Sequence, residues 1–135
     1  MKVLTYGDIM HRGQSVFTST ARLDDDVLHV TFTGVVRVDN PQKQLQPYID
    51  ALEAELPALD VASAVLDFTE LRFCNSNGFY VIMDIIEVIY NGFEGPVKVR
   101  RLKEDDWQQE TLPILLDLDE DDIRERTSFE DVREI

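Results

Sequence analysis

Four stretches follow one another in mid-chain: Ala64-Val65-Leu66-Asp67-Phe68, Leu71-Arg72-Phe73-Cys74, Asn75-Ser76-Asn77-Gly78, and Phe79-Tyr80-Val81-Ile82-Met83-Asp84-Ile85-Ile86-Glu87-Val88-Ile89-Tyr90. Val61 to Phe68 is short and apolar, the pattern of a buried strand. From Gly78 the period changes. At about 100° per residue, Val81, Ile82, Ile85, Ile86 and Ile89 gather on one side. The spacing predicts a helix over Gly78–Tyr90, stopped by Asn91-Gly92. A buried strand delivered through a polar loop into an amphipathic helix is an α/β pattern.

The loop has two readings. Asn, Ser and Asn all accept hydrogen bonds from the orphan N–H groups of a first helical turn, so the tripeptide reads as a set of caps. Gly78 then allows close backbone approach. Ser76 can equally carry a phosphate, which a helix N-terminus tolerates electrostatically. Along the helix, Tyr80, Asp84, Glu87 and Asn91 share the side opposite the isoleucines. Phe79, Met83 and Tyr90 form a second apolar edge. That edge reads as packing against a neighbouring helix, or as a partly exposed patch beside Ser76 that suits a protein partner.

Working outward, Ser15–Arg22 is rich in β-branched residues and predicts a strand. After the turn at Asp24-Asp25-Asp26, Val27–Gly34 alternates: Leu28, Val30 and Phe32 face one way, His29, Thr31 and Thr33 the other. The two runs predict a hairpin. Residues 1–14 read as an N-terminal extension or, through Val3-Leu4-Thr5-Tyr6, a short edge strand. Val35–Val38 prolongs the strand character as far as the turn Asp39-Asn40-Pro41. Leu45, Ile49, Leu52 and Leu56 recur at helical spacing. Pro47 sets the start of that helix near Gln46, and Pro57 closes it. Val97–Arg100 predicts a further core strand. A third helix falls within Asp106–Leu118, starting near Thr111 or kinked at Pro113. Ile123–Arg126 reads as a last short strand. Thr127 and Glu130 have capping-box spacing for a terminal helix through Ile135. Strands first, then alternating helix and strand, imply a mixed β-sheet with an N-terminal hairpin and about four helices packed on it.

The 135 residues are the length of one domain, 1–135. No apolar run reaches the roughly 20 residues that span a bilayer. The opening lacks the apolar core of a secretory signal, so the expected location is cytoplasmic. One cysteine, Cys74, leaves no intrachain disulfide and fits a reducing compartment; it reads as a small buried apolar residue. The formal net charge of −14 repels phosphate backbones and anionic lipid, which argues against nucleic-acid and membrane binding. From Glu104 to Asp122 there are nine acidic residues and no basic one. This is a solvated face, or an edge that steers a basic partner.

Enzyme chemistry finds little support. Ser76, His29 and Asp67 can be drawn as a triad only by choosing among scattered residues, and His11 lies in an ambiguous segment. No glycine loop precedes a Lys-Ser/Thr pair. Asp117-x-Asp119-x-Asp121 imitates a calcium loop, but Asp122 stands where its glycine belongs and Ser128 where its bidentate glutamate belongs. No cofactor and no metal are expected.

At this point the middle of the chain resembles a known family. Ala64–Phe68, with its aspartate, followed by Leu71–Phe79 is similar to the core motif of STAS domains, the bacterial anti-sigma-factor antagonists. Thr33-Gly34-Val35 resembles the glycine turn after that family's early strand. The resemblance implies a STAS-like α/β fold and a non-catalytic regulatory protein acting by partner switching. A serine kinase that doubles as an anti-sigma factor phosphorylates the loop serine, the phosphorylated form lets go, and a serine phosphatase resets it. Ser76 falls on the phosphorylated position. Asn75 stands where the family usually has aspartate, and Asn77 where a second hydroxyl residue is common. The implied partner surface is Asn75, Ser76, Asn77, Gly78, Phe79, Tyr80, Met83, Asp84 and Glu87. Two other readings remain: a constitutive scaffold or oligomer subunit without phosphorylation, and a small-ligand or nucleotide sensor.

Overall fold

The computed structural model of the protein describes residues 2–133. Six strands form one sheet in strictly sequential order: β1 (Lys2–His11), β2 (Gln14–Asp24), β3 (Val27–Val36), β4 (Ser63–Cys74), β5 (Val97–Leu102) and β6 (Thr127–Val132). β1–β2–β3 is an antiparallel meander; β3–β4–β5–β6 is parallel. Each parallel step needs a crossover. These are α1 (Pro41–Glu55), with a 3-10 turn at Leu56–Ala58; α2 (Ser76–Gly92); and α3 (Asp106–Leu115) with α4 (Asp121–Arg126). Because the sheet grows in one direction, right-handed crossovers place the helices on one face.

Burial follows from that placement. Leu28, Val30, Phe32, Ala64, Leu66, Phe68, Val97 and Val99 are buried beneath the helices. Their neighbours along the strands, among them His29, Thr31, Thr33, Val65, Asp67 and Lys98, are half-buried or exposed on the open face. Phe32 and Phe68 stack at the centre with centroids 4.5 Å apart. Truncating either would cost roughly 3–5 kcal/mol. The expected hairpin, the alternation of its second strand and the mixed sheet are all present.

Several elements differ from expectation. β1 is a full ten-residue edge strand, held by α1: Met10 N–H donates to Gln44 Oε1 at 2.7 Å. α1 begins at Pro41 rather than near Gln46, because proline suits a first helical position. Pro47 lies inside α1 on its exposed side, and Lys43, whose carbonyl lacks its helical donor as a result, also faces water. Gly34 lies within β3, not after it. Its φ of +109° and the approach of Val16 O, 2.2 Å from where a Cβ would stand, exclude other residues. α3 starts at Asp106, capped by Asp105, whose Oδ1 accepts from Gln108 N–H at 3.0 Å.

The C-terminal reading is reversed. Ile123–Arg126 belongs to a helix and Thr127–Val132 to a strand. Asp121 and Asp122 in the first turn of α4, and Arg124 and Arg126 in its last, match the helix macrodipole. The capping-box residues are spent otherwise. Thr127 Oγ1 donates to Ile123 O at 2.6 Å and pairs with Tyr90 Oη at 2.5 Å; Glu130 accepts from Arg100 at 2.9 Å. The ladder to β5 and the stacking of Arg101 on Phe129, 3.9 Å away, outweigh a short terminal helix. Residues 134–135 of the expected helix lie outside the described residues.

Candidate functional site

Asp67 shapes the approach to the loop. Its Oδ1 accepts from Thr69 N–H at 2.9 Å and Thr69 Oγ1 at 2.7 Å, and its Oδ2 accepts from Arg100 at 2.8 Å. The local bond serves the N–H that the ladder loses at a bulge between the β3 pairings of Asp67 and Glu70. Buried positions therefore run Ala64, Leu66, Phe68 and then Leu71. β4 outruns its ladder to β5, which ends at Asp67. The buried amide of Gln108 takes over: Nε2 donates to Phe68 O at 2.8 Å and Leu71 O at 3.3 Å, and Oε1 accepts from Leu102 N–H at 2.7 Å.

β4 then delivers Asn75, the N-cap of α2. Asn75 Oδ1 accepts from Gly78 N–H at 2.8 Å. Its Nδ2 donates to Val38 O at 3.1 Å, and its backbone N–H donates to Val36 O at 2.9 Å. Asn77 Nδ2 donates to Asp39 O at 2.8 Å. The two asparagines thus lash the start of α2 to the chain leaving β3. An aspartate at position 75 could cap but could not donate to Val38. Gly78 is buried under this knot: a Cβ there would stand 2.6 Å from Val36 Cγ1 and 2.7 Å from Cys74 Sγ. Burial pushes the Cys74 thiol up to about 12, keeping it a protonated, half-buried neighbour.

Ser76 is the first residue of α2, exposed, and its hydroxyl has no hydrogen-bond partner among the described residues. Capping therefore falls to Asn75. No acidic residue occupies the first turn of α2. That turn therefore sets no carboxylate of its own against the helix end's partial positive charge of roughly half a unit.

Below Ser76, the outer side of α2 carries Tyr80, 63% exposed, then Asp84 and Glu87, both exposed. Phe79 and Met83 are half-buried, with the Phe79 and Tyr80 rings edge to face at 6.0 Å. The structure thus brings Asn75, Ser76, Asn77, Phe79, Tyr80, Met83, Asp84 and Glu87 onto one loop and helix side, with Gly78 buried behind them. Of the expected second apolar edge, Met83 and Tyr90 line the same groove, Tyr90 being buried and bonded to Thr127. Burial pushes its phenol up in pKa against the opposing pull of Thr127 and Arg126.

Two grooves flank that side. One, of 410 Å³, runs between α2 and the α3–α4 segment over Met83, Ile86, Leu115 and Ile123, beside Asp84, Glu87 and Asp117. The other, of 330 Å³, lies between α1 and α2, edged by Glu53, Asp84 and Glu87. Near the loop, Val16, Val35, Val38 and His11 line an apolar recess beside Arg37, whose guanidinium stacks on Phe73 at 4.7 Å. The sequence reading missed Leu115, Asp117 and Ile123 as neighbours of α2. Only a correct placement of α4 would have located them.

The drawn triad is not assembled. Asp67 is engaged with Arg100 and Thr69, and it shares a recess with His29 on the open sheet face, whereas Ser76 begins α2. Among the described residues no three His, Cys, Asp or Glu side chains are grouped to hold a metal. Asp121 of the calcium-like run pairs with Arg124. No helix among them is long and apolar enough to cross a membrane.

No protein-family model matches the chain, and no curated protein is significantly similar to it. Its fold is similar to that of SiaC of Pseudomonas aeruginosa, at 20% identity over 99% of this chain and 98% of that one, with a TM-score of 0.56. The apo-SiaC structure from the same organism gives 19% identity over 95% and 98%, with a TM-score of 0.54. A third structure, of the diguanylate cyclase SiaD in complex with its activator SiaC, gives 21% identity over 93% and 98%, with a TM-score of 0.52. At these identities the likeness is one of fold. The chain shares the fold of these proteins, a mixed α/β sheet with helices packed on it, as the sequence implied.

Proposed function

We propose that this is a non-catalytic regulatory protein that switches partners through phosphorylation of Ser76 by a serine kinase of the anti-sigma-factor type, reset by a serine phosphatase. The observation that carries this reading is the division of labour at the start of α2. Asn75 does the capping, so the Ser76 hydroxyl stays exposed, without a partner among the described residues, at a helix N-terminus whose first turn carries no carboxylate. A phosphate there adds about −1.5 to −2 charges, which the helix end accommodates within the protein. An aspartate cap would have set a carboxylate beside it; Asn75 avoids that repulsion. At an interface the dianion must be desolvated, and a coupling of about 1–3 kcal/mol lowers partner affinity about 5- to 150-fold. The partner surface is Asn75, Ser76 and Asn77 with Phe79, Tyr80, Met83, Asp84 and Glu87, and Gly78 lets it sit close to β3 and β4.

The test incubates the protein with serine kinases from the same genome and ATP, and maps phosphate by mass spectrometry. Phosphate on Ser76, with weaker kinase binding by Ser76→Asp than by Ser76→Ala, is the expected result. Absence of phosphate together with equal binding by both variants removes the switch.

A second reading draws on the complex of SiaD with its activator SiaC. In it, the partner is a signalling enzyme that the protein activates by docking, as a constitutive subunit. Equal partner activation by wild type, Ser76→Ala and Ser76→Asp would favour it.

A further inference from the structure

We propose that the groove between α2 and the α3–α4 segment receives a basic amphipathic helix of a partner protein, the lysines and arginines of that helix pairing with Asp84, Glu87 and Asp117. This rests on the reading of α2 as the partner surface and names the chemistry of what binds there.

The groove has the two ingredients such a helix needs. Its floor is apolar, built from Met83 and Ile86 on one wall and Leu115 and Ile123 on the other, with the exposed Tyr80 ring at its Ser76 end. Among the described residues its lining holds the three carboxylates of Asp84, Glu87 and Asp117 and no cation. Between the groove residues Asp117 and Ile123 the chain carries Asp119, Glu120, Asp121 and Asp122, all exposed, with Asp121 paired to Arg124, so encounter with a basic segment is steered as well as held. Side chains of a helix at i, i+3/i+4 and i+7 match such a floor. The groove between α1 and α2 shares Asp84 and Glu87 and adds Glu53, but Gln42 and Gln46 make its lining more polar and leave Ile49, Pro57 and Val88 as its apolar part, so NMR shifts on α1 rather than α3 and α4 would place the helix there instead.

Charge also selects the occupant. A second copy of this chain would bring −14 to −14. Its helices offer few cations: Lys43 in α1, none in α2 or α3, and Arg124 and Arg126 in α4. Of these, Arg124 is bonded to Asp121, and Arg126 to the carbonyls of Tyr90, Phe93 and Gly95. An anionic membrane is repelled.

Geometry fixes the polarity of docking. Glu87 lies eleven residues below Ser76, about 16 Å along the helix axis. That is about twice the Debye length of about 8 Å at physiological ionic strength. A phosphate on Ser76 therefore leaves the basic pairing at Glu87 and Asp117 nearly untouched. It acts on whatever part of the helix covers Tyr80. The helix thus sets its cations over Asp84, Glu87 and Asp117 and its apolar residues over Tyr80 and Met83, where a dianion cannot be tolerated.

The probe is a fluorescein-labelled 14-residue peptide with leucines at i, i+3, i+7 and i+10 and lysines on the other side, titrated by anisotropy at 0.15 M salt with amide NMR mapping. The inference requires shifts confined to α2, α3 and α4, and a Kd raised at least tenfold by Asp84→Lys with Glu87→Lys. The charge-matched control Asp26→Lys with Asp60→Lys, both exposed and in loops outside α2, α3 and α4, changes Kd less than twofold. Equal weakening by the two pairs, or shifts on the open sheet face, overturns it. Ser76→Asp is measured in parallel against the kinase partner. If only that variant loses the partner while the peptide maps elsewhere, the groove fails and the switch stands. If the peptide maps to the groove and Ser76→Asp has no effect on the partner, the switch fails and the groove stands.

Discussion

Replacing Asn75 separates its two jobs. As a cap it satisfies Gly78 N–H; as a tether it satisfies Val38 O. Losing a cap costs about 1 kcal/mol. Losing a side-chain hydrogen bond to a part-buried carbonyl costs about 1 kcal/mol more. Asn75→Ala loses both, about 2 kcal/mol. Asn75→Ser keeps a capping oxygen and loses the tether, about 1 kcal/mol. Asn75→Asp also keeps the cap and gains about 0.3–1 kcal/mol from the helix end. It turns a carboxylate oxygen toward the Val38 carbonyl, however, and should fall near Asn75→Ser at pH 7. At about 2.1 cal/mol/K of unfolding entropy per residue, 135 residues give about 0.28 kcal/mol/K. The expected drops in Tm are therefore about 7 °C for Asn75→Ala and about 3–4 °C for Asn75→Ser and Asn75→Asp, read by calorimetry at pH 7. A wild-type Tm for Asn75→Ser with a raised Tm for Asn75→Asp would show the tether to be worthless and refute the account of why asparagine stands here.

Gly78→Ala sets an overpacking cost of about 2 kcal/mol against Val36 and Cys74 against a helix-propensity gain of about 1, for a net loss of about 1 kcal/mol in urea unfolding. Gln108→Leu matches the volume but strands Leu102 N–H and Phe68 O in the interior; a loss of about 3 kcal/mol in the same assay is expected. Tyr48 is buried with its hydroxyl on Ser19 Oγ at 2.9 Å, and desolvation raises its phenol pKa against the small opposing pull of Ser19. The folded state therefore keeps a proton that the unfolded chain releases above pH of about 10. Stability is unaffected below that pH and falls above it by about 1.4 kcal/mol per pH unit. Tyr48→Phe should flatten this alkaline limb, which unfolding at pH 8 and pH 11 would reveal.

Where one local signal dominated, the sequence was legible. Leu28, Val30 and Phe32 alternate because one face of β3 meets helices and the other meets water. The isoleucines of α2 cluster because a single side of it is covered. Thr127 and Glu130 misled because capping-box spacing is a local pattern, whereas their actual partners, Tyr90 and Arg100, are 37 and 30 residues away. Pro41 belongs to a turn signal and is also the first residue of α1. At the loop, the three caps were recognised as a class. Which of them caps depends on where Val38 and Asp39 lie, and no spacing within the loop encodes that. Leu115 of α3 and Ile123 of α4 meet α2 across one groove, an arrangement that no spacing within either segment encodes.

The strictly sequential strand order has a consequence for synthesis. Every strand after the first pairs with the one made just before it, so no strand waits on the ribosome for a partner not yet translated. The β1–β2–β3 meander can assemble early, and each later helix–strand unit adds to an existing edge. From β3 onward the growing edge pairs with the next strand in parallel, once the intervening crossover has been made. Nascent chains stalled after β4 should thus already protect the amides of β2, while those of β4 gain full protection only after β5 emerges.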